Sequence, residues 1–192
     1  LRQPLEEREV TVSRVEASVT YPANFQLVAA MNPCPCGHFP DRSRCRCTDG
    51  QITRYLQKVS GPMLDRIDIC VEASPITYGD IKSSGNNESS REIRARVEQA
   101  RKIQGERFAG ENVRCNGEMS GRHIRKFCWL GREEEKFMEE IFKKLALSAR
   151  MHDRILKVAR TTADLAEEEK IRLADLCEAV SYVKSRDKFW GN

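Results

Sequence analysis

The sequence predicts an α/β segment followed by an all-α bundle, and three observations carry that reading. All seven prolines fall between Pro4 and Pro75, whereas residues 132–190 contain neither proline nor glycine. Alternating apolar residues of period two are confined to the first part of the chain, and stripes of helical period dominate after Ser89. Between them Gly79-Asp80 and Lys82-Ser83-Ser84-Gly85-Asn86-Asn87 form a polar, glycine-containing tract with the composition of a linker. The expected organisation is therefore an α/β portion over 1–78, a linker over 79–88 and a helical domain over 89–192.

Each element has its own signal. Val10-Thr11-Val12-Ser13 alternates and Ala17-Ser18-Val19-Thr20-Tyr21 alternates after it, which predicts a hairpin. Phe25 to Met31 is almost continuously apolar and reads as a buried strand. Thr48 with Gln51 forms a capping box ahead of Ile52, Tyr55, Leu56 and Val59, and this helix stops at Ser60-Gly61-Pro62. Ile67, Ile69 and Val71 begin a further strand. Ser89 with Glu92 caps a helix whose apolar face is Ile93, Val97, Ala100 and Ile103. Later stripes are Phe137, Ile141 and Leu145; Met151, Ile155, Val158, Thr162 and Leu165; and Leu173, Leu176, Cys177, Val180 and Val183. An apolar stripe needs a partner, and several in sequence predict a small bundle.

With 40% hydrophobic and 32% charged residues the chain has a globular composition. Its longest apolar stretches are far short of the ~20 residues that cross a bilayer, and Leu1-Arg2-Gln3-Pro4 does not resemble a signal peptide, so a cytoplasmic location is expected. In that reducing setting clustered cysteines point to metal, and the scattered Cys70, Cys115, Cys128 and Cys177 to buried thiols. A net charge of +4 neither announces nor excludes a nucleic-acid partner.

The chemistry concentrates in two places. Cys34-Pro35-Cys36 and Cys45-Arg46-Cys47 are separated by eight residues, a loop able to bring four soft ligands together as tetrahedral zinc requires. Iron–sulfur ligation and unligated core thiols are the alternatives, and His38 is a further ligand candidate. Arg42, Arg44 and Arg46 either offset thiolate charge or meet nucleic acid. Downstream lies Gly61-Pro62-Met63-Leu64-Asp65-Arg66-Ile67-Asp68. Taken alone, Arg66 between two aspartates reads as an ion-paired surface residue, Asn32 as a turn residue before Pro33, and Arg150 and Arg154 as a basic helix face shared with Lys157.

Leu1-Arg2-Gln3-Pro4-Leu5-Glu6-Glu7, Ala29 to Gly37, Cys45 to Cys47, Ser60 to Ile69 and Ser148 to Leu165 together resemble the C-terminal portion of the magnesium-chelatase-like AAA+ ATPases, in the branch that includes a bacterial competence protein. The resemblance covers essentially the whole chain. It implies the last strands of a nucleotide-binding α/β core followed by a helical lid. It also implies roles: Asn32 as sensor 1, Arg66 as an arginine finger acting in trans, and Arg150 as sensor 2, with Arg154 one turn on as the fallback. The Val10 to Tyr21 hairpin falls where related helicases carry a pore hairpin, so Arg14 near its tip becomes a DNA candidate beside the plainer reading of a connecting hairpin. No Gly-x-x-x-x-Gly-Lys-Ser/Thr loop occurs. The chain is therefore expected to be a piece of a longer polypeptide that starts mid-helix and does not hydrolyse ATP alone; ATP and Mg belong to the full assembly with its remaining core residues and neighbouring subunits, a homo-hexamer. The implied function is ATP-driven DNA translocation or branch migration in transformation and recombination, with zinc structural. A magnesium chelatase ATPase subunit that remodels a metal-insertion partner and a zinc-stabilised binding module for nucleic acid or protein are the other readings, and the cysteine clip favours the competence branch over the chelatase subunits.

Overall fold

The computed structural model describes residues 2–82 and 87–190. They fall into two compact units, one made of the described residues of Leu1–Cys70 and Ser185–Asn192 and the other of those of Val71–Lys184.

The first unit opens with helix α1 (Arg2–Glu7) and the expected hairpin, strands β1 (Glu9–Ser13) and β2 (Ser18–Pro22). The strands are antiparallel, with Val10 opposite Tyr21, Thr11 opposite Thr20 and Val12 opposite Val19. Cross-strand hydroxyls reinforce that register, Thr11 with Thr20 and Ser13 with Ser18 both at 3.0 Å. Helix α2 (Asp49–Leu56) begins with the capping box foreseen at Thr48 and Gln51, and α3 (Gly61–Leu64) is a single turn with proline in its first positions.

Two expected strands do not form. Phe25 to Met31 has no regular structure and is exposed, Val28 by 84%, and Ile67 to Val71 is likewise irregular. A strand exists only beside another that takes up its amide and carbonyl groups, and among the described residues β1 and β2 pair with each other alone. Apolar content supplied the tendency without a ladder to join. The small apolar core of this unit is built instead from Cys34, Ile52 and Leu56, with Phe39, Tyr55, Phe189 and Trp190 packed on it. Trp190 Nε1 also donates to the Leu56 carbonyl at 3.1 Å.

The second unit is helical: α4 (Tyr78–Lys82), α5 (Ser90–Arg107), α6 (Gly121–Phe127), α7 (Arg132–Lys144), α8 (Ala149–Leu165) and α9 (Leu173–Trp190), the last contributing residues up to 184. Of the expected linker, Gly79 to Lys82 lie in α4, and 83–86 fall outside the described residues. Ser89 caps α5 through the box with Glu92, and Ser148 caps α8 by accepting from the Met151 amide. The core runs through Phe108, Met138, Ile141, Ile155, Leu176 and Val180. Ile93 and Val97 at the start of the α5 stripe remain 43% exposed each, so only its second half is covered. Of the scattered cysteines Cys128 is buried, Cys70 and Cys115 are intermediate and Cys177 is exposed, which corrects the expectation for the last: it lies beside, not within, the face that buries Leu176 and Val180.

A buried ionic network joins α5, α8 and the turns beside them. Asp164 is wholly buried and accepts from Arg107 through both carboxylate oxygens, from Arg160 Nε at 3.1 Å and from Asn116 Nδ2 at 2.7 Å. Arg160 spends its other nitrogens on the carbonyls of Glu169 and Glu168, at 2.7 and 2.5 Å, and so pins the chain leaving α8. Every member is satisfied, the condition under which a buried charge is tolerated. Asp164→Ala leaves two guanidiniums uncompensated and should lower unfolding free energy by roughly 3–5 kcal/mol, read from the denaturant midpoint of the helical signal.

Candidate functional site

The two cysteine pairs meet. Residues 33–37 turn tightly, with the Gly37 amide on the Cys34 carbonyl at 3.1 Å and Gly37 at φ +81°, a conformation that side chains rarely adopt. A Cβ at Gly37 would sit 3.6 Å from the Asn32 amide, so this turn also carries Asn32 against the clip. Asp41 organises the return: its carboxylate accepts from the Ser43 amide at 3.0 Å and hydroxyl at 2.6 Å, and its carbonyl from the Cys45 amide at 2.8 Å. Thr48 then starts α2, whose Ile52 and Leu56 cover Cys34.

Cys34 Sγ lies 3.4 Å from Cys36 Sγ and 3.8 Å from Cys45 Sγ, Cys36 is 3.6 Å from Cys45, and all four sulfurs fall within 4.8 Å of one another. A tetrahedron of sulfurs about 2.3 Å from a central zinc has edges near 3.8 Å, so the arrangement fits such an ion. All four are free thiols. The amides of His38 and Arg46 aim at Cys36 and pull its thiol down to about 6. Burial works against ionisation of Cys34, but the Phe39 amide, 3.4 Å from its sulfur, helps bring that thiol below its ordinary value. Burial pushes Cys47 up to about 11, with the neighbouring sulfurs adding to it. Thiols so close cannot all ionise unaided, and a cation at their centre removes the conflict. The group could hold a metal ion, with amide donors already oriented toward the sulfurs. Arg42 pairs with Asp49, donates to the Cys47 carbonyl at 3.3 Å and lies over Phe39 at 5.0 Å, while Arg44 and Arg46 are exposed.

The other expected site residues are distributed. Asn32 is exposed and stands beside the clip, not at the end of a strand. Arg66 follows α3 and is mostly buried; its guanidinium pairs with Glu6 of α1, at 2.5 Å, not with the aspartates that flank it in sequence. Arg14 is exposed where β1 ends, its amide on the Ala17 carbonyl at 2.8 Å, with Val15 fully exposed at the tip. Arg150 and Arg154 are both on α8, Arg150 exposed in its first turn and Arg154 buried. The clip brings its four cysteines and Asn32 together; Arg14 and Arg66 lie elsewhere in the first unit, Arg150 and Arg154 in the second. Sequence reasoning missed Glu6, because no spacing links residues 60 apart, and missed Phe189 and Trp190, which lie beyond the last apolar stripe it identified, ending at Val183.

The model of "Magnesium chelatase, subunit ChlI" matches residues 1–81, and that of "Magnesium chelatase, subunit ChlI C-terminal" matches residues 87–183. The chain belongs to the magnesium-chelatase-like AAA+ family. Similar members include "Competence protein ComM" of Haemophilus influenzae, 43% identical over 95% of this chain and 35% of the relative, and YifB of Escherichia coli, 43% identical over the same shares. Rv2897c of Mycobacterium tuberculosis is 36% identical over 95% of the chain and 36% of its own length. The chain thus spans about a third of the length of the curated relatives it matches. Within this family member no described helix is long and apolar enough to cross a membrane.

Protein purified without added metal should contain one equivalent of a thiophilic cation by elemental analysis, and Cys34→Ser with Cys45→Ser should abolish it. Since Asn32 to Gly50 has little apolar surface of its own, the double variant should lose amide protection there while the helices after Ser89 keep theirs, a contrast that hydrogen exchange reads directly.

Proposed function

We propose that this chain serves a ring-forming, DNA-translocating AAA+ ATPase of the competence-protein type, acting in branch migration during transformation and recombination. The observation that carries the reading is the 43% identity to a competence protein across 95% of the chain, a match that runs through both the cysteine clip and the Arg66 turn. The 192 residues hold no Gly-x-x-x-x-Gly-Lys-Ser/Thr loop, so the phosphate cradle and magnesium ligands of the assembly come from outside them.

Within the assembly, a homo-hexamer, the residues divide the work. Arg66 enters the neighbouring subunit's site and stabilises charge developing on the transferred phosphoryl group. Asn32, carried on the clip, orients the attacking water as sensor 1. Arg150 serves as sensor 2; its exposure at the start of α8, against the burial of Arg154, supports that choice. The β1–β2 hairpin presents Arg14 to the nucleic-acid backbone. Zinc is the cation best matched to four thiolates at this spacing, and its role is structural: the clip has no open coordination position once four sulfurs are used. ATP with Mg supplies the reacting phosphoryl group when bound.

The 192-residue chain alone should show no magnesium-dependent ATP turnover. In a complete ring, Arg66→Ala should cut hydrolysis by ~10³ while each subunit still binds ATP, because the lost interaction belongs to the transition state. Mixing that variant with a phosphate-loop-defective subunit should restore part of the activity at mixed interfaces. Normal hydrolysis by Arg66→Ala, or no recovery in any mixture, would show the trans role to be wrong.

A further inference from the structure

Arg66 is the residue on which the proposed hydrolysis turns, yet its guanidinium is folded back into its own unit. Only 13% of the side chain is exposed, and Nη2 lies 2.5 Å from Glu6 Oε2 on α1. Nη1 donates to the Pro62 carbonyl one turn earlier. Nε is buried and has no hydrogen-bond partner.

That pattern differs from a structural arginine in the same chain. Arg107 lays two nitrogens on the two oxygens of a fully buried Asp164, a closed bidentate pair. Arg66 meets one carboxylate oxygen, from a glutamate 41% exposed, and leaves a buried donor empty. Guanidinium presents Nε and Nη2 as a planar fork that suits an anion with two coplanar oxygens, and the fork is here only half used. An exposed carboxylate is a weak, screened partner, whereas phosphoryl oxygens carry more charge and can fill both positions.

We propose that Glu6 is a positioning residue that holds Arg66 in a retracted resting state and yields it to a nucleotide phosphate of an adjacent subunit. The exchange makes engagement conditional on a correctly placed phosphate, since any anion that reaches Arg66 must first displace Glu6. This rests on the reading of Arg66 as a trans-acting finger, but the retraction itself can be measured without it.

The first test uses the 192-residue chain and an arginine-directed dicarbonyl reagent, with modification located by peptide mass spectrometry. Arg66 should react slowly in the wild type and about five-fold faster in Glu6→Gln, the shift expected when an ion pair of ordinary strength is removed. Glu7→Gln, on the same helix, should leave Arg66 unchanged, and Glu6→Asp, with the charge kept but one methylene shorter, should give an intermediate rate. An unaltered Arg66 rate in Glu6→Gln overturns the proposal. So does an equal acceleration at the already exposed Arg150, which would mean general loosening. In the complete ring, Glu6→Gln should raise kcat while leaving the KM for ATP little changed, since Arg66 acts in the transition state and no longer has to leave a carboxylate; an unchanged or lowered kcat overturns the proposal. Undiminished hydrolysis by Arg66→Ala in that ring would instead reject the finger reading while leaving the modification result standing.

Discussion

The convergence of four sulfurs is the constraint on which the first unit depends. Between Asn32 and Gly50 the chain is rich in proline, glycine and arginine, and burial alone gives it little reason to order. Cys34 resolves this by belonging to two structures at once: its sulfur joins the cluster, and its side chain is the wholly buried centre against which Ile52 and Leu56 pack. The loop is therefore gathered from inside by the four sulfurs and covered from one side by a helix. Asn32 depends on the same turn, since the left-handed Gly37 lets the backbone pass close to its amide. Disturbing the clip thus disturbs the residue proposed to sit nearest the reacting phosphate.

The second unit solves the same problem by different means. It has ample apolar surface and needs no ligand to collapse, but apolar stripes alone leave register loosely defined. Asp164 supplies the definition: two arginines and an asparagine from three separate stretches of chain address one carboxylate, and Arg160 extends the network to the backbone after α8. A slipped helix would strand a buried charge. The cost of mispacking is then electrostatic and steep, which is a more selective penalty than a small void.

The features legible in the sequence were those decided locally. Capping boxes at Thr48 and Ser89 reach three residues, and the β1–β2 hairpin pairs nearest neighbours, so both could be read from spacing. The clip was legible because cysteine pairs carry chemistry that composition does not dilute. What failed was anything requiring a partner outside the window. Phe25 to Met31 has the apolar content of a buried strand, but a strand is a relation between segments, and no second strand stands beside it among the described residues. Cys177 shows the finer error: it sits next to the buried Leu176 in sequence, yet one residue is 100° of helix rotation, enough to turn it to solvent. Glu6 could not have been assigned to Arg66 from pattern at all, because two aspartates lie closer in sequence.

On the role proposed for Arg66, that last case reconciles two readings that seemed opposed. An arginine meant to act on another subunit is still a cation in its own subunit whenever the neighbour is absent or empty. Left extended, it would be an exposed charge free to bind any phosphate; sealed by a bidentate carboxylate, as Arg107 is, it would not leave. The single oxygen offered by Glu6 and the unfilled Nε place Arg66 between those limits. Under the proposed trans role, the ion-pair reading and the finger reading describe two positions of the same side chain, and the strength of the Glu6 contact sets how readily one gives way to the other.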